Sequence, residues 1–235
     1  MKTTLGVVQA CYSSERFAQL ASRWMPEVGM SLLEWVARRA TDCQQLDRVV
    51  ILSCSADVMP FVHEAAPHDV PVIAVDGDDA LARMSQLLGQ CQADNIVRIR
   101  GDNPFVDPQL IDQLIIAANE VDDLDYATFC VPDGTLALEL PVGICSEWAT
   151  KKAILRANQS AKRPAHSEDI FGSIRSRTDK YNCLNVELSD YFADAKNMRL
   201  SVDTEDDWEA VSTLLEQLDE DRRDIRTYHD EVKIR

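Results

Sequence analysis

The first half of the chain alternates short apolar runs with amphipathic helical patterns, and this alternation limits its possible folds more than any other feature. Residues 4–10, 47–54, 70–76 and 95–102 form the apolar runs and read as buried strands. Helical spacing covers residues 31–43, 56–66, 78–91 and 107–121. Strands that alternate with helices indicate a mainly parallel, doubly wound sheet. Ligands of such sheets gather at the carboxyl ends of the strands.

Three of the predicted helices carry recognisable start signals. Ser31 stands before an apolar helical pattern with Glu34 three residues later, which is the spacing of a capping box. Asp107 precedes Pro108, a residue that suits the first position of a helix. Thr204 with Asp207 repeats the capping-box spacing before the last predicted helix.

The second half of the chain is less regular and has more strand-like patterns. We predict strands at residues 125–130, 138–146, 181–188 and 198–203, and helices at 146–157, 167–177 and 204–218. The sequence therefore predicts a single α/β domain over residues 1–220 with a β-rich insertion at about 125–200. Residues 221–235 are predicted to form a charged C-terminal tail.

Charge and cysteine usage restrict the partners and the compartment. A formal net charge of -16 argues against broad binding to nucleic acid or to an anionic membrane surface. Seven scattered cysteines without zinc-site spacing are typical of a reducing compartment. The start, MKTTLGVVQACYSS, has no long apolar segment, and no later stretch is long enough to span a bilayer. We therefore expect a cytoplasmic protein with neither nucleic acid nor membrane as a partner.

Two aspartates end predicted strands and are the first candidates for a metal site. Asp102 follows RIRG and Asp203 follows LSV, and each precedes a predicted helix. Mg²⁺ takes oxygen ligands, often one or two carboxylates together with substrate phosphates and water. An aspartate before a helix is also a common N-cap. Spacing alone does not place the two carboxylates in one site.

Several segments together resemble one family of enzymes. They are VRIRGDNPFVDPQLIDQLI (97–115), MRLSVDTEDDWEAV (198–211), DDALARM (78–84) and VPDGTLALELPVGI (131–144). They resemble, in order and over roughly residues 4–215, the cytidylyltransferases that make CMP-activated acidic sugars. The branch most similar to this chain is that of the spore coat polysaccharide biosynthesis protein F.

The resemblance implies a fold, a reaction and a set of site residues. The fold would be the Rossmann-like nucleotide-diphospho-sugar transferase fold, usually as a homodimer. The enzyme would transfer CMP from CTP to an acidic or modified sugar for surface polysaccharide or flagellin glycosylation, with Mg²⁺ as cofactor. Asp102 and Asp203 match the metal-binding positions, and with Arg16 they form the implied catalytic set. The implied nucleotide-binding residues are Ala10, Ser14, Arg16, Arg23, Ser53, Arg83 and Asp102.

The chain departs from this family in the loop after the first strand. The family pattern Ala-Arg-x-x-Ser-x-Arg-Leu-Pro-x-Lys is here ACYSSERFAQL, so Cys11 and Leu20 replace two basic residues. A charge-assisted hydrogen bond to a phosphate is worth about 1.5–3 kcal/mol. Arg23 is a candidate to replace the lysine, whereas no substitute for the arginine is apparent.

Two interpretations of this loop stay open at the level of sequence. SSERFAQLASRW (13–24) also reads as an ordinary amphipathic helix capped by Ser13 or Ser14. In that case the chain would be a catalytically impaired family member that acts as a nucleotide-sensing or scaffolding partner. A later change, Glu168-Asp169 where the family branch often has Glu-His, affects the region expected to recognise the sugar.

Overall fold

A computed structural model describes most of the chain. The described residues are 2–11, 15–53, 59–76, 79–160, 169–189, 192 and 197–217, with the backbone alone at 15–18. The strands are β1 (Thr4–Ala10), β2 (Trp24–Met25), β3 (Met30–Ser31), β4 (Arg48–Ser53), β5 (Val72–Ala74), β6 (Asn95–Arg100), β7 (Tyr126–Cys130), β8 (Glu147–Thr150) and β9 (Cys183–Glu187).

Seven of these strands form one sheet, in the order β5-β4-β1-β6-β8-β7-β9. Neighbouring strands are parallel except where β8 pairs antiparallel with β6 and β7. Strands β2 and β3 form a separate small hairpin. The predicted fold class, an α/β fold on a mainly parallel sheet, is confirmed. The proposed domain limits, including the tail at 221–235, stay predictions because that tail lies outside the described residues.

Helices cover both faces of the sheet. They are α1 (Glu15–Ser22), α2 (Leu32–Thr41), α3 (Met59–Ala65), α4 (Ala80–Gln90), α5 (Pro108–Asn119), α6 (Lys151–Ser160), α7 (Gly172–Arg175) and α8 (Glu205–Gln217), with a 3-10 turn at Ala137–Glu139. Adjacent residues of one strand point to opposite faces, so Val7 and Val8 belong to two different apolar clusters. Because both faces are buried, the strands read as nearly continuous apolar runs. In the described part of the chain, the helices are too short or too polar to cross a membrane.

The predicted helix starts are confirmed by their hydrogen bonds. The Ser31 hydroxyl accepts from the backbone N–H of Glu34 at 3.0 Å. The Asp107 carboxylate accepts from the backbone N–H groups of Gln109 and Leu110, and Pro108 occupies the first turn of α5. Asp107 thereby fixes the helix that follows the Asp102 corner.

Three sequence predictions in the second half are wrong. The segment 146–157 was predicted to be helical throughout, but residues 147–150 form β8 because they pair with β6 and β7 before α6 begins. The segment 138–146 has no strand, since it passes from the 3-10 turn into irregular structure. Residues 198–203 also form no strand, so Asp203 follows an irregular segment. Their backbone N–H groups bond elsewhere, including from Leu200 to the Pro141 carbonyl at 2.8 Å.

Gly143 allows this irregular segment to approach closely. Its φ is +63°, and a Cβ at this position would lie 2.8 Å from both the Leu200 carbonyl carbon and the Ser201 nitrogen. We expect Gly143→Ala to destabilise the protein by at least about 2 kcal/mol, because it adds left-handed strain to a backbone clash. Chemical denaturation measures this change.

Gly89→Ala is the matched control for that substitution. Gly89 lies in α4, and a Cβ there meets no atom within 4 Å. Alanine at this helical position is expected to stabilise the protein by about 0.5–1 kcal/mol. Equal effects of the two substitutions would contradict both the left-handed strain and the clash at position 143.

Candidate active site

The two candidate aspartates lie together at the carboxyl edge of the parallel strands. Asp102 lies two residues after the end of β6, and Asp203 lies two residues before the start of α8. The backbone N–H of Val202 donates to the Asp102 carbonyl at 2.8 Å, which joins the two segments directly. Residues about 100 positions apart in the sequence therefore share one corner of the molecule.

One guanidinium group binds both carboxylates. The Nε and Nη2 atoms of Arg100 donate to Oδ1 and Oδ2 of Asp102 at 2.9 and 2.6 Å. The same Nη2 lies 3.4 Å from Oδ1 of Asp203. The side chains of Asp102 and Asp203 are 18% and 32% exposed, so solvent reaches the pair. The two aspartates thus form an acidic pair bridged by one guanidinium group.

A second group of residues holds the Asp203 side of the pair. The Ser201 hydroxyl donates to Asp203 Oδ2 at 3.1 Å, and Arg199 Nη2 lies 3.5 Å from the same oxygen. Arg199 also donates to both carboxylate oxygens of Asp207, at 2.5 and 3.0 Å. Hydrogen bonds from Arg199 and Thr204 outweigh burial and lower the pKa of Asp207 to about 2. Asp207 therefore stays ionised and keeps Arg199 in place beside Asp203.

The capping box predicted at the start of α8 has a direct part in this arrangement. The Thr204 hydroxyl accepts from the Asp207 N–H at 3.2 Å, and Asp207 Oδ2 accepts from the Thr204 N–H at 2.9 Å. The same oxygen accepts from the N–H of Asp203 at 3.1 Å. The box fixes the backbone of Asp203, while the Asp203 side chain is directed to Arg100 and Ser201 instead of capping the helix.

A buried polar network lies on the same face of the sheet as Arg100. The Glu147 side chain on β8 is 3% exposed and accepts from Arg98, Tyr126 and Arg175. Arg98 also donates through Nε to the Gln9 side chain at 2.7 Å. Burial, followed by the nearby Glu147 carboxylate, raises the pKa of the Tyr126 phenol, so the phenol stays neutral and donates.

Sequence analysis missed this network, although one signal was present. Arg98 and Arg100 are two residues apart in a buried strand, and that spacing places both side chains on one face. Two cations on a buried face require partners. Glu147 was not predicted as their partner, because its segment was interpreted as a helix.

Asp169 extends the network towards solvent. Its carboxylate receives both terminal nitrogens of Arg175, at 3.0 and 2.7 Å, and its side chain is 47% exposed. A Cβ on Gly172 would lie 2.2 Å from the Asp169 carboxylate, so a larger residue there would require the Asp169 side chain to shift. Asp169, which stands where the family branch often has histidine, thus forms an ion pair with Arg175. Glu168 lies outside the described residues.

The residues of the first loop have different environments. Ala10 is buried at the end of β1, and Cys11 Sγ donates to the Leu52 carbonyl at 3.5 Å. Residues 15–22 form helix α1, as the amphipathic interpretation predicted, and Leu20 is buried in the core. The lysine position of the family pattern therefore contributes to packing. Ser14 and the side chain of Arg16 lie outside the described parts of the structure.

The other predicted nucleotide-binding residues lie in three different places. Arg23 Nη1 bonds Glu205 at 2.6 Å, and its guanidinium lies 4.7 Å from the Trp208 ring centroid, at the start of α8. Ser53 is fully buried at the end of β4, and its hydroxyl meets no hydrogen-bond partner among the described residues. Arg83 lies in the first turn of α4. Their roles in nucleotide binding stay predictions.

Comparison with known proteins decides the family. The family model described as Cytidylyltransferase matches residues 5–231, which is nearly the whole chain. The chain belongs to the cytidylyltransferase family. The cytidylyltransferase predicted from the sequence motifs is thereby confirmed at the level of family.

Curated relatives match the chain at modest identity. The spore coat polysaccharide biosynthesis protein SpsF of Bacillus subtilis is 29% identical over 60% of this chain and 55% of its own length. The 3-deoxy-manno-octulosonate cytidylyltransferase of Acidovorax sp. is 30% identical over 47% of this chain and 45% of its own. The chain thus spans about half the length of these relatives.

A solved structure supports the fold of the chain along nearly its whole length. A cytidylyltransferase from Leptospira borgpetersenii superposes with a TM-score of 0.77 at 16% identity. The superposition covers 99% of this chain and 92% of that protein. At this identity the likeness establishes the fold, and it confirms the nucleotidyltransferase fold expected from the motifs.

Proposed function

We propose that this chain is a Mg²⁺-dependent cytidylyltransferase that transfers CMP from CTP to an acidic or modified sugar. The observation that carries the proposal is the convergence of Asp102 and Asp203 on one cationic group at the carboxyl edge of the sheet. Family membership and the names of the curated relatives support the nucleotide and the sugar class. Use of the product for surface polysaccharide or flagellin glycosylation, and a homodimeric state, belong to the same proposal.

The donor set fits a magnesium ion. Two carboxylates already share a positive charge, and both remain reachable from solvent. Within the described ranges, no cluster of three or more His, Cys, Asp or Glu side chains has the arrangement of a metal site. Two carboxylates are sufficient for Mg²⁺, which completes its octahedron with phosphate oxygens and water.

Each residue of the pair has a definite task in the proposed reaction. A sugar hydroxyl attacks the α-phosphate of CTP, a new P–O bond forms, and the bond to the departing pyrophosphate breaks. Asp102 and Asp203 would hold Mg²⁺, which neutralises charge on the phosphates when it is bound. Ser201 and the Asp207–Arg199 pair orient Asp203. The Gly101-Asp102 corner and the Asp107 cap hold Asp102 on rigid elements.

A second candidate function is favoured by a specific observation. Leu20 is packed into the core, and Cys11 bonds a backbone carbonyl, so two cations of the family loop are absent. Losing two charge-assisted bonds without compensation weakens nucleotide binding by about two to four orders of magnitude. The chain would then be an impaired family member that acts as a nucleotide-sensing or scaffolding partner.

One titration tests these two functions. We expect CTP to bind the purified protein with micromolar affinity by calorimetry in Mg²⁺ and to lose that affinity in EDTA. Pyrophosphate release with a panel of acidic sugars would then identify the acceptor. Absence of binding at millimolar CTP would reject the enzyme and favour the scaffolding function.

A further inference from the structure

We propose that Arg100 is the internal counter-ion of the Asp102–Asp203 pair, and that a divalent cation binds there by displacing its guanidinium. The inference rests on the metal site of the proposed function and adds a residue to it. Its starting point is that Arg100 contacts both carboxylates at 2.6 and 3.4 Å through one nitrogen.

The carboxylate oxygens that a metal would bind already contact donors of the protein. Both oxygens of Asp102 accept from Arg100. One oxygen of Asp203 faces Arg100, and the other accepts from Ser201. A metal that bonds directly to these oxygens would meet a like charge at hydrogen-bond distance. The guanidinium must therefore leave before the ion takes its place.

Exposure distinguishes Arg100 from its neighbour on the strand. The Arg100 side chain is 43% exposed, whereas that of Arg98 is 12% exposed and bonds Glu147 and Gln9. Arg100 is thus the more exposed of the two side chains, as a group displaced by an ion would need to be. Arg98 is held by its buried contacts to Glu147 and Gln9.

The strand register explains why an arginine at this position acts on the aspartates. Arg100 pairs with Gln9 across β6 and β1, so it lies two residues before the level of Cys11. Position 11 is where the family loop has an arginine, and this chain has a thiol. In the free protein, the positive charge that bridges the two carboxylates therefore comes from Arg100 on β6, while Arg199 lies beside Asp203 alone. A metal ion has to compete with that charge.

The test measures the affinity for Mn²⁺ alone, without nucleotide, by the electron paramagnetic resonance signal of the free ion. We expect Arg100→Gln to bind Mn²⁺ at least about tenfold more tightly than the wild type, because the competing cation is gone. Arg38→Gln is the matched control. Arg38 lies on α2 and pairs with exposed Asp69, so its replacement removes the same charge and is expected to leave the Mn²⁺ affinity unchanged.

Thermal unfolding gives a second readout. In EDTA, Arg100→Gln is expected to unfold at a lower temperature than the wild type, since two close carboxylates lose their counter-charge. Mg²⁺ is expected to raise its midpoint more than that of the wild type. Arg100→Lys, which keeps the charge but not the two-pronged contact, is expected to have an intermediate Mn²⁺ affinity. It serves as the test variant if the glutamine protein does not fold.

The outcomes separate this inference from the metal site itself. Equal or weaker Mn²⁺ binding in Arg100→Gln overturns the counter-ion role. If Mn²⁺ binding is in addition lost in Asp102→Asn, the metal site is supported and only the role of Arg100 is rejected. Failure of both the wild type and the variant to bind Mn²⁺ overturns the inference together with the metal part of the proposed function.

Discussion

Asp102→Asn and Asp203→Asn are each expected to lower kcat for nucleotidyl transfer by about a thousandfold and to abolish Mg²⁺-dependent binding of CTP. A bound metal contributes several kcal/mol of charge stabilisation in such reactions, and each 1.36 kcal/mol is a factor of ten in rate. Asparagine keeps the size of the side chain but removes the negative charge that Mg²⁺ requires. Calorimetry at fixed Mg²⁺ and a pyrophosphate-release assay measure the two effects.

Asp69→Asn is the control for these variants. Asp69 is exposed, and it pairs with Arg38 on the surface, away from the acidic pair. Its substitution is expected to leave CTP binding and turnover within twofold of the wild type. Because Asp102 also holds Arg100, circular dichroism must show that both test variants are folded. Unchanged CTP affinity in both folded variants would reject the metal site.

Local signals of the sequence predicted much of the fold. Strands β1, β4 and β6 are largely buried and are followed by helices, so their apolar runs were recognisable without knowledge of their partners. The caps at Ser31 and Asp107 and the Thr204–Asp207 box depend on residues at most three positions apart. Such features are encoded locally and can be predicted from the sequence.

The partners within the site could not be predicted in the same way. Asp203 was expected at the end of a strand, but it is placed by bonds from Leu200 to Pro141 and from Val202 to Asp102. These contacts join segments that are distant in the sequence. Arg100 was predicted only as a strand residue, because no local pattern links it to Asp203 about 100 residues later.

The loop after β1 illustrates a conflict between a family pattern and local physics. The pattern implied a phosphate-binding turn, whereas the residues form a helix whose Leu20 packs into the core. Once a helix forms, an apolar residue on its inner face is held there by burial. The family pattern identifies the two cations that are absent. Leu20, at the lysine position of that pattern, packs into the core instead.

Glu147→Gln is expected to destabilise the protein by about 3–5 kcal/mol, which is the largest effect on stability that we predict. Glu147 is 3% exposed and is the carboxylate partner of two arginines that are 12% and 14% exposed. Glutamine fills the same space and can still accept a hydrogen bond, so no cavity forms. The loss would come from leaving buried Arg98 without a counter-charge and Arg175 with Asp169 as its carboxylate partner. Urea denaturation measures it.

Glu205→Gln separates the effect of burial from that of the ion pair itself. Glu205 bonds Arg23 at 2.6 Å, a distance close to the 2.5 Å between Glu147 and Arg98. Both partners of the Glu205 pair are about half exposed, so its loss is expected to cost about 0–1 kcal/mol. Similar losses in the two variants would mean that water compensates Arg98 and Arg175 once Glu147 is neutral. A much larger loss at Glu147 would show that this carboxylate holds the buried arginines in place. Only a desolvated arginine depends so strongly on one partner.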